Sequence, residues 1–300
     1  MIEIKNISKS YGDVKSLTGI NSVIAAGSIY GLIGSNGSGK STLLRIMCGI
    51  MQGDEGQVEY DGMPVFENPD VKKNVIFLSD EQYFLPNSTL DEMAGVYASF
   101  YPDFSREKYH ELAKLFNLPY DRKISTFSKG MKKQASVLLA LASNVKYLLC
   151  DETFDGLDPV MRQLVKKLLA DEVVTRGMTP VIASHNLREI EDICDHIGLL
   201  HRGGILFESE IDSLKQEIHT VQIVLDDNKN VNDVFADFHV VSSNKRGSLS
   251  TLVVRGDRES IEAAAKAAEP QFCEIIPLTL EEIFISEMEE RGYDYSAVLF

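Results

Sequence analysis

The strongest constraint on this chain is a glycine-rich segment between an apolar run and a helical pattern. The segment is Gly34-Ser35-Asn36-Gly37-Ser38-Gly39-Lys40-Ser41, and it fits the pattern G-x-x-x-x-G-K-[ST]. The apolar residues at 28–33 before it predict a strand, and a helix is predicted from about Ser41 to Ile50. A strand, a glycine loop and a helix N-terminus in this order indicate an α/β fold built around a bound anion.

Each residue type in this segment suits the binding of a polyphosphate. Glycines let the backbone approach phosphate oxygens, and successive N–H groups together with the helix N-terminus attract negative charge. We expect Lys40 to reach the β- and γ-phosphates and the Ser41 hydroxyl to bind Mg²⁺, with Thr42 in an assisting role at most. The sequence therefore predicts a binding site for a nucleoside triphosphate rather than a simple glycine-rich turn.

A second motif combines an apolar strand with two acids, in Tyr147-Leu148-Leu149-Cys150-Asp151-Glu152. An aspartate at the carboxyl end of a buried strand can hold Mg²⁺ through water, opposite the phosphate loop. The adjacent glutamate points to the other side of the strand and can align an attacking water. Acids also commonly end strands without any catalytic role, so the motif alone leaves both interpretations open.

Charge and cysteine usage exclude several classes of protein. The 300 residues include 45 acids against 30 bases, a formal net charge of -15, which argues against binding nucleic acid or anionic lipid through phosphate neutralisation. Cys48, Cys150, Cys194 and Cys273 are far apart and form no CxxC pair, so we expect free thiols rather than disulfides or a zinc site.

Strand and helix patterns alternate through the first two thirds of the chain, which predicts a largely parallel sheet. Beyond the first strands, we predict strands at 56–60, 75–78, 147–150 and 180–184, and helices within 88–118 and at 131–143 and 159–176. After about residue 217 the order becomes β-α-β-β-α-β, followed by a last helix at 279–290, and this order is typical of a ferredoxin-like module.

Hydropathy predicts neither a signal peptide nor a membrane span in this sequence. Residues 1–5 lack the apolar core of a signal peptide. The longest apolar stretch, from Val137 to Ala142, is far shorter than the roughly 18 residues that a spanning helix needs. If the protein acts at a membrane, we expect another chain to cross it.

Four further motifs share the order of a known family. Phe127-Ser128-Lys129-Gly130-Met131 precedes the acidic strand as the signature LSGGQ does, matching at Ser128 and Gly130. Gly156-Leu157-Asp158-Pro159 resembles the D-loop, His185 resembles the switch histidine, and Tyr11 resembles the aromatic residue that stacks on adenine. Over residues 1 to about 210, the sequence resembles the nucleotide-binding subunit of an ABC transporter.

Without that resemblance, three of these residues have ordinary structural interpretations. Ser128 is a helix N-cap by type, and His185 is one of the many histidines that follow strands for structural reasons. Tyr11 alone would be a core or surface aromatic residue.

The resemblance implies a P-loop NTPase fold with an ABC-type ATPase domain at 1–216, a helical subdomain at about 88–143, and a small α+β accessory domain at 217–300. It implies ATP and Mg²⁺ as ligands, Glu152 and His185 as catalytic residues, and Ser41, Asp80 and Asp151 as metal-binding residues. The expected nucleotide-binding residues are Tyr11, Gly34, Ser35, Asn36, Gly37, Ser38, Gly39, Lys40, Ser41, Thr42, Ser128, Gly130 and Asp158.

The family mechanism implies a head-to-tail dimer in which Ser128 and Gly130 serve the ATP of the other subunit. The partner is a second copy of this chain or a different ATPase subunit. Closure and reopening of the dimer are expected to drive separate membrane-spanning subunits. We therefore expect a peripheral protein on the inner face of the cell membrane.

One departure concerns a glutamine that the family places after the strand near residue 80. Alignment on residues 85–89 puts Asp80 there, although Gln82 takes that role if the loop is longer.

The segment Leu280-Glu281-Glu282-Ile283-Phe284-Ile285 resembles the last helix of bacterial ABC-2-type exporter ATPases. The alternative interpretation is an ordinary amphipathic helix.

Two other classes of function fit the sequence less well. A soluble ABC-type mechanochemical ATPase of translation or DNA repair fits less well, because the chain is acidic and has one ATPase unit. A kinase or GTPase is disfavoured, because no N-K-x-D guanine motif occurs and a kinase has no need of the signature segment.

Overall fold

A computed structural model describes residues 1–226 and 229–290 of the chain. Its internal contacts separate two compact units, the first spanning Met1–Glu208 and the second beginning at Ser209. In the part of the chain that is described, no helix has the length and apolarity needed to cross a membrane. All four cysteines are free.

The first unit combines two sheets with seven helices among its described residues. Its strands are β1 (Ile2–Tyr11), β2 (Val14–Ile24), β3 (Tyr30–Ile33), β4 (Glu55–Tyr60), β5 (Met63–Pro64), β6 (Val75–Leu78), β7 (Tyr147–Asp151), β8 (Thr179–Ser184), β9 (His196–His201) and β10 (Gly204–Glu210). Its helices are α1 (Lys40–Met47), α2 (Pro69–Lys72), α3 (Leu90–Phe100), α4 (Arg106–Leu115), α5 (Lys129–Ala142), α6 (Pro159–Arg176) and α7 (Leu187–Glu191), with a 3₁₀ turn at Ile124–Thr126.

The larger sheet has the strand order β10-β9-β3-β8-β7-β6, and the pairs from β9 to β6 are parallel. Every residue of β3, β7 and β8 is buried, because apolar side chains cover both faces of these inner strands. The neighbours β3, β8, β7 and β6 run in the same direction, so the loops after them leave from one edge of the sheet. This arrangement confirms the parallel α/β fold that the sequence predicts.

The smaller sheet is antiparallel, with the order β2-β1-β4-β5. Ile2, Ile4 and Ile7 of β1 are buried together with Leu17 and Ile20 of β2. Register shifts between Ile4 and Ile7 change the alternation along β1, which explains why a strict period of two does not describe that strand.

Local sequence signals explain where the helices begin and end. Asp158 caps α6 by accepting hydrogen bonds from the backbone N–H groups of Val160 and Met161, and Gly177 ends that helix at a φ of 65°. Helix α1 ends at Met47 rather than at residue 50 as predicted, because Gly49 adopts a left-handed φ of 68° just beyond its cap.

The second unit contains α8 (Ile211–Glu217), β11 (Ile218–Val224), α9 (Val231–Val234), β12 (His239–Arg246), β13 (Leu249–Arg255), α10 (Arg258–Ala267), β14 (Phe272–Pro277) and α11 (Leu280–Glu290). From β11 to β14 the predicted order β-α-β-β-α-β is present, and the antiparallel sheet order β12-β13-β11-β14 is that of a ferredoxin-like fold. Apolar residues of the strands and α10 form its core, among them Val221, Leu252 and Ile261.

Several elements of the fold were absent from the sequence prediction, including the short elements β5, α2 and α7. Strands β9 and β10 and helix α8 occupy residues 196–217, where no element was predicted. The predicted last helix is present as α11, and its residues Leu280, Ile283 and Phe284 are buried, as an amphipathic helix requires.

Candidate active site

Four loops that leave one edge of the larger sheet bring the predicted site residues together. The glycine-rich loop follows β3, Asp80 follows β6, Glu152 follows β7, and His185 follows β8. Because these four strands are neighbours and parallel, their carboxyl ends form a single crevice, which is where open α/β sheets bind ligands.

The glycine-rich loop has a backbone conformation in which added side chains would clash with neighbouring atoms at two of its glycines. Gly39 has a φ of 110°, and a Cβ atom there would lie 2.6 Å from the carbonyl oxygen of Ser16. A Cβ atom on Gly34 would lie 2.4 Å from the carbonyl oxygen of Leu200. Gly39 is also the N-cap of α1, so the loop leads the backbone directly into a helix N-terminus.

Lys40, the first residue of α1, turns its side chain back into the loop. Its ammonium group donates hydrogen bonds to the carbonyl oxygens of Gly34, at 2.6 Å, and Ser35, at 3.3 Å. The same nitrogen lies 3.6 Å from Oε1 of Glu152. Burial lowers the pKa of Lys40, and the nearby carboxylates of Glu152 and Asp151 partly oppose that change. A desolvated cation in this position binds an anionic ligand strongly.

Asp151 ends β7 inside the crevice and is almost completely buried. Burial raises the pKa of its carboxyl group, while a hydrogen bond with the Ser41 side chain acts in the opposite direction. Among the described residues, Oδ1 of Asp151 has no hydrogen-bond partner. A buried oxygen without a partner, next to the hydroxyl of Ser41, fits the hard oxygen ligands that Mg²⁺ prefers.

Glu152 has a left-handed backbone conformation, with a φ of 46°. A non-glycine residue there costs on the order of 1–3 kcal/mol, so surrounding contacts must hold it. Its N–H donates to the carbonyl oxygen of Ala183 at 3.0 Å, and its carbonyl oxygen accepts a hydrogen bond from the ammonium group of Lys133. This turn directs the Glu152 carboxylate towards the glycine-rich loop.

His185 contacts the other oxygen of the Glu152 carboxylate, with Nδ1 at 3.0 Å from Oε2. Together with Asp155, these two residues place three possible metal-ligand atoms within 4.8 Å of one another. The crevice thus has two groups of possible cation ligands, and only the Ser41–Asp151 pair includes a residue of the glycine-rich loop.

The crevice contains an open cavity of about 290 Å³. It is lined by Ser16, Asn36, Gly37, Gly39, Lys40, Ser41, Thr42, Asp80, Asp151 and Glu152. Asp80 therefore reaches the cavity, whereas the amide of Gln82 donates to the carbonyl oxygens of Ser79 and Asp80 within its own loop.

Some predicted residues do not line this cavity in the described part of the chain. They are Tyr11, Gly34, Ser35, Ser38, Ser128, Gly130, Asp158 and His185. Tyr11 is exposed at the end of β1, and its hydroxyl contacts the sulfur of Met51 at 3.2 Å. Ser128 is the N-cap of α5, and its hydroxyl accepts a hydrogen bond from Met131.

The signature segment and the D-loop are neighbours within this chain. A Cβ atom on Gly130 would lie 3.2 Å from the carbonyl oxygen of Gly156, so the two segments form one region. Ser128 and Asp158 are both exposed in this region. Their side chains cap helices α5 and α6, and both residues remain accessible to solvent.

Two residues of the crevice were not predicted. Ser16 lines the cavity and donates a hydrogen bond to the hydroxyl of Thr42 at 3.1 Å, although no motif marks it. Lys133 is buried at 1% exposure beside Asp80 and Glu152. The continuous apolar residues 137–142 indicate a helix buried on all sides, and a lysine on such a helix needs an acidic partner. That signal would have marked Lys133.

Comparison with known proteins agrees with this geometry. The family described as "ABC transporter" matches residues 17–155. The ABC transporter ATP-binding protein YtrB of Bacillus subtilis is 31% identical over 287 residues, which cover 96% of this chain and 98% of that protein. This chain belongs to the family of ABC transporter ATP-binding proteins. The ABC protein therefore binds ATP and hydrolyses it, and proteins of this family dimerise and work with membrane transporter subunits.

Further relatives cover about three quarters of the ABC protein. The bacitracin transport ATP-binding protein BcrA of Bacillus licheniformis is 31% identical over 219 residues, 72% of each chain. The lantibiotic transport ATP-binding protein SrtF of Streptococcus pyogenes is 29% identical over 235 residues, 75% of this chain and 99% of that protein. A solved ATP-binding subunit of an ABC transporter is 25% identical, with a TM-score of 0.67 over 72% of this chain and 92% of its own.

Replacing Lys40 tests the binding of ATP. We expect Lys40→Ala to weaken ATP affinity and abolish turnover, because the charge on the β- and γ-phosphates would lose its buried counterion. Affinity is measured by titration with a fluorescent ATP analogue, and turnover by phosphate release. Lys166→Ala is the matched control, since both lysines are 6% exposed and Lys166 pairs with Asp192 outside the cavity. Wild-type turnover in Lys40→Ala would contradict the assignment of the phosphate loop.

Proposed function

We propose that this ABC protein is the ATP-hydrolysing motor subunit of an exporter and drives separate membrane-spanning subunits. The observation that carries the proposal is the meeting of Lys40, Asp151, Glu152 and His185 at one crevice. Export is supported by the names of BcrA and SrtF, which are transport proteins for bacitracin and a lantibiotic. We place the protein in the cytoplasm, peripheral on the inner face of the membrane.

The proposed chemistry assigns a task to each of these groups in the crevice. Lys40 neutralises the β- and γ-phosphates, and Ser41 with Asp151 holds Mg²⁺, whose charge would stabilise the phosphate oxygens. Glu152 orients a water molecule and accepts its proton as that water attacks the terminal phosphate. His185 fixes the Glu152 carboxylate through the 3.0 Å contact between Nδ1 and Oε2.

The remaining residues are proposed to bind nucleotide from outside the cavity. Ser128, Gly130 and Asp158 would face the ATP held by the partner subunit in a head-to-tail dimer. Support comes from the exposure of Ser128 and Asp158, from the proximity of Gly130 to Gly156, and from the absence of all three proposed residues from the described lining of this chain's own cavity. A helix N-terminus capped by serine, at the start of α5, attracts a phosphate. Tyr11, exposed at the end of β1, would stack on adenine.

The domain assignment is also part of this proposal. We assign ATP hydrolysis to residues 1–216, with residues 88–143 as the helical subdomain, and an accessory role to residues 217–300. The proposed assembly contains two ATPase subunits, either identical or different.

Purification from membranes tests the transport function. We expect the tagged protein, expressed with its neighbouring genes and extracted in mild detergent, to copurify with a polytopic membrane protein in a stable ratio. The Lys40→Ala variant serves as a control, because loss of turnover should leave this association intact. Recovery with soluble proteins alone would contradict a transporter subunit.

Replacing Glu152 tests the catalytic step separately from binding. We expect Glu152→Gln to bind ATP but to hydrolyse it about 10²–10⁴-fold more slowly, because the amide cannot accept a proton from water. Addition of ATP should then produce a stable dimer, seen as a doubling of mass in light scattering. Glu172→Gln is the control, since Glu172 is equally buried and pairs with Lys108 and Arg176 instead. Normal hydrolysis by Glu152→Gln would show that Glu152 is only a strand-end acid.

Mixing two inactive variants tests whether Ser128 acts on the partner's ATP. We expect Ser128→Arg to bind ATP as a monomer but not to dimerise, because a bulky cation would fill the anion site at the start of α5. A mixed dimer of Ser128→Arg with Lys40→Ala contains one doubly altered site and one intact site, so mixing should restore hydrolysis. The control chain carries both substitutions and has no intact site. Wild-type hydrolysis by Ser128→Arg alone would contradict this role.

A further inference from the structure

Lys133 is a charged residue in a position where charge is costly. It belongs to the second turn of α5 and is 1% exposed. A buried ammonium group is stable only when oppositely charged or polar groups surround it. The contacts of this one side chain therefore indicate what it does in the protein.

Two contacts of the Lys133 ammonium group lie at the crevice. It is 3.1 Å from Oδ1 of Asp80, and it donates a hydrogen bond to the main-chain carbonyl oxygen of Glu152. Asp80 is about half exposed and lines the cavity, so its carboxylate stands between the buried lysine and the ligand site.

The hydrogen bond to Glu152 acts on a backbone that is otherwise unfavourable. Glu152 has a φ of 46°, its N–H is bonded to Ala183 of β8, and its carbonyl oxygen is bonded to Lys133. With both sides of the residue held, its carboxylate is directed between Lys40 and His185. Loss of the Lys133 contact would leave the residue free to relax towards an ordinary φ.

We propose that Lys133 is a positioning residue for Glu152 and that Asp80 is its counterion. An aspartate at position 80 supplies the negative charge that the buried ammonium needs, whereas the family's glutamine would supply none. This inference rests on the proposed catalytic role of Glu152. It assigns to Asp80 a task within the protein that differs from binding Mg²⁺.

The location of Lys133 links two parts of the proposed dimer site. Lys133 lies five residues after Ser128 on the same helix, about 7.5 Å along its axis. Helix α5 therefore connects the segment that faces the partner's ATP with the Glu152 carboxylate of this chain's own site. A shift of α5 on dimerisation would be transmitted to Glu152 through the ammonium group.

The first test replaces Lys133 with an uncharged side chain of similar length. We expect Lys133→Met to lower kcat by about 10- to 100-fold, because a misplaced catalytic group slows the chemical step. The KM for ATP should change by less than about threefold, since Lys40 and the glycine-rich loop are intact. Wild-type kcat in Lys133→Met would overturn the proposal.

The chain offers a closely matched control in Lys166. This lysine is also buried and pairs at 2.9 Å with a half-exposed aspartate, Asp192, while its ammonium group lies over the ring of Phe154. Lys166→Met should reproduce any loss of thermal stability seen in Lys133→Met while keeping kcat within about twofold. An equal loss of kcat in both variants would show a purely structural role for Lys133.

A double-mutant cycle tests Asp80 as the counterion. We expect Asp80→Asn to lower kcat by at least about tenfold in the wild-type background, because it leaves a buried charge unpaired, and by less than about threefold in the Lys133→Met background. The same factor in both backgrounds would mean that Asp80 acts independently of Lys133, and would overturn this part of the inference. Asp80→Asn changes a half-exposed side chain, so its single-variant arm can be measured even if Lys133→Met fails to fold. Wild-type kcat in Asp80→Asn would then overturn the inference that Asp80 is a needed counterion.

Measuring Lys133→Met in the Glu152→Gln variant separates this inference from the proposed role of Glu152 itself. If Glu152 is catalytic, Glu152→Gln is slow, and adding Lys133→Met should lower kcat by less than about threefold further. Normal kcat in Glu152→Gln would refute the proposed role of Glu152 and with it this inference. A slow Glu152→Gln together with a normal Lys133→Met would refute the inference about Lys133 alone.

Discussion

The parallel pairing of β3, β8, β7 and β6 is the constraint on which the site depends. Each strand leads into a loop that carries candidate site residues, and the hydrogen-bonded order of the strands determines which of these loops are neighbours. Glu152 shows this directly, because its backbone N–H bonds to Ala183 on the adjacent strand β8, and His185 follows two residues later. A change in the pairing of these strands would separate groups that are now about 3 Å apart.

Burial gives the charged groups of this crevice their properties. It lowers the pKa of Lys40 and raises that of Asp151, because in each case removal from water disfavours the charged form. Lys40 and Lys133 each lie close to a carboxylate, from Glu152 and Asp80 respectively. Both lysines also contact Glu152: Lys40, next to the glycine-rich loop, contacts its carboxylate, and Lys133 of α5 contacts its main-chain carbonyl oxygen.

Several residues at this site also have an ordinary structural role. Ser128 and Asp158 cap helices, as their residue types predict, and both remain exposed beside Gly130 and Gly156. The structural and functional interpretations of such residues are compatible, because an N-cap leaves other N–H groups of the first turn available to a ligand. In the last helix, burial of Leu280, Ile283 and Phe284 similarly accounts for the family-like ending through packing.

The sequence by itself determined the parallel α/β fold, the phosphate loop, the acidic end of β7, the ferredoxin-like order of the second unit and the family. These features follow from local patterns: apolar runs, glycines before a lysine, capping residues and motif order. Only the tertiary structure brought Lys133 and Ser16 to the crevice, turned Gln82 away from it, and added β9, β10 and α8. Such contacts join residues far apart in the chain, as with Lys133 and Asp80 at a separation of 53 residues, and no local pattern encodes them. Lys133 follows another lysine, and the apolar helix around it indicates only that its charge needs an acidic partner. The fold identifies that partner as Asp80.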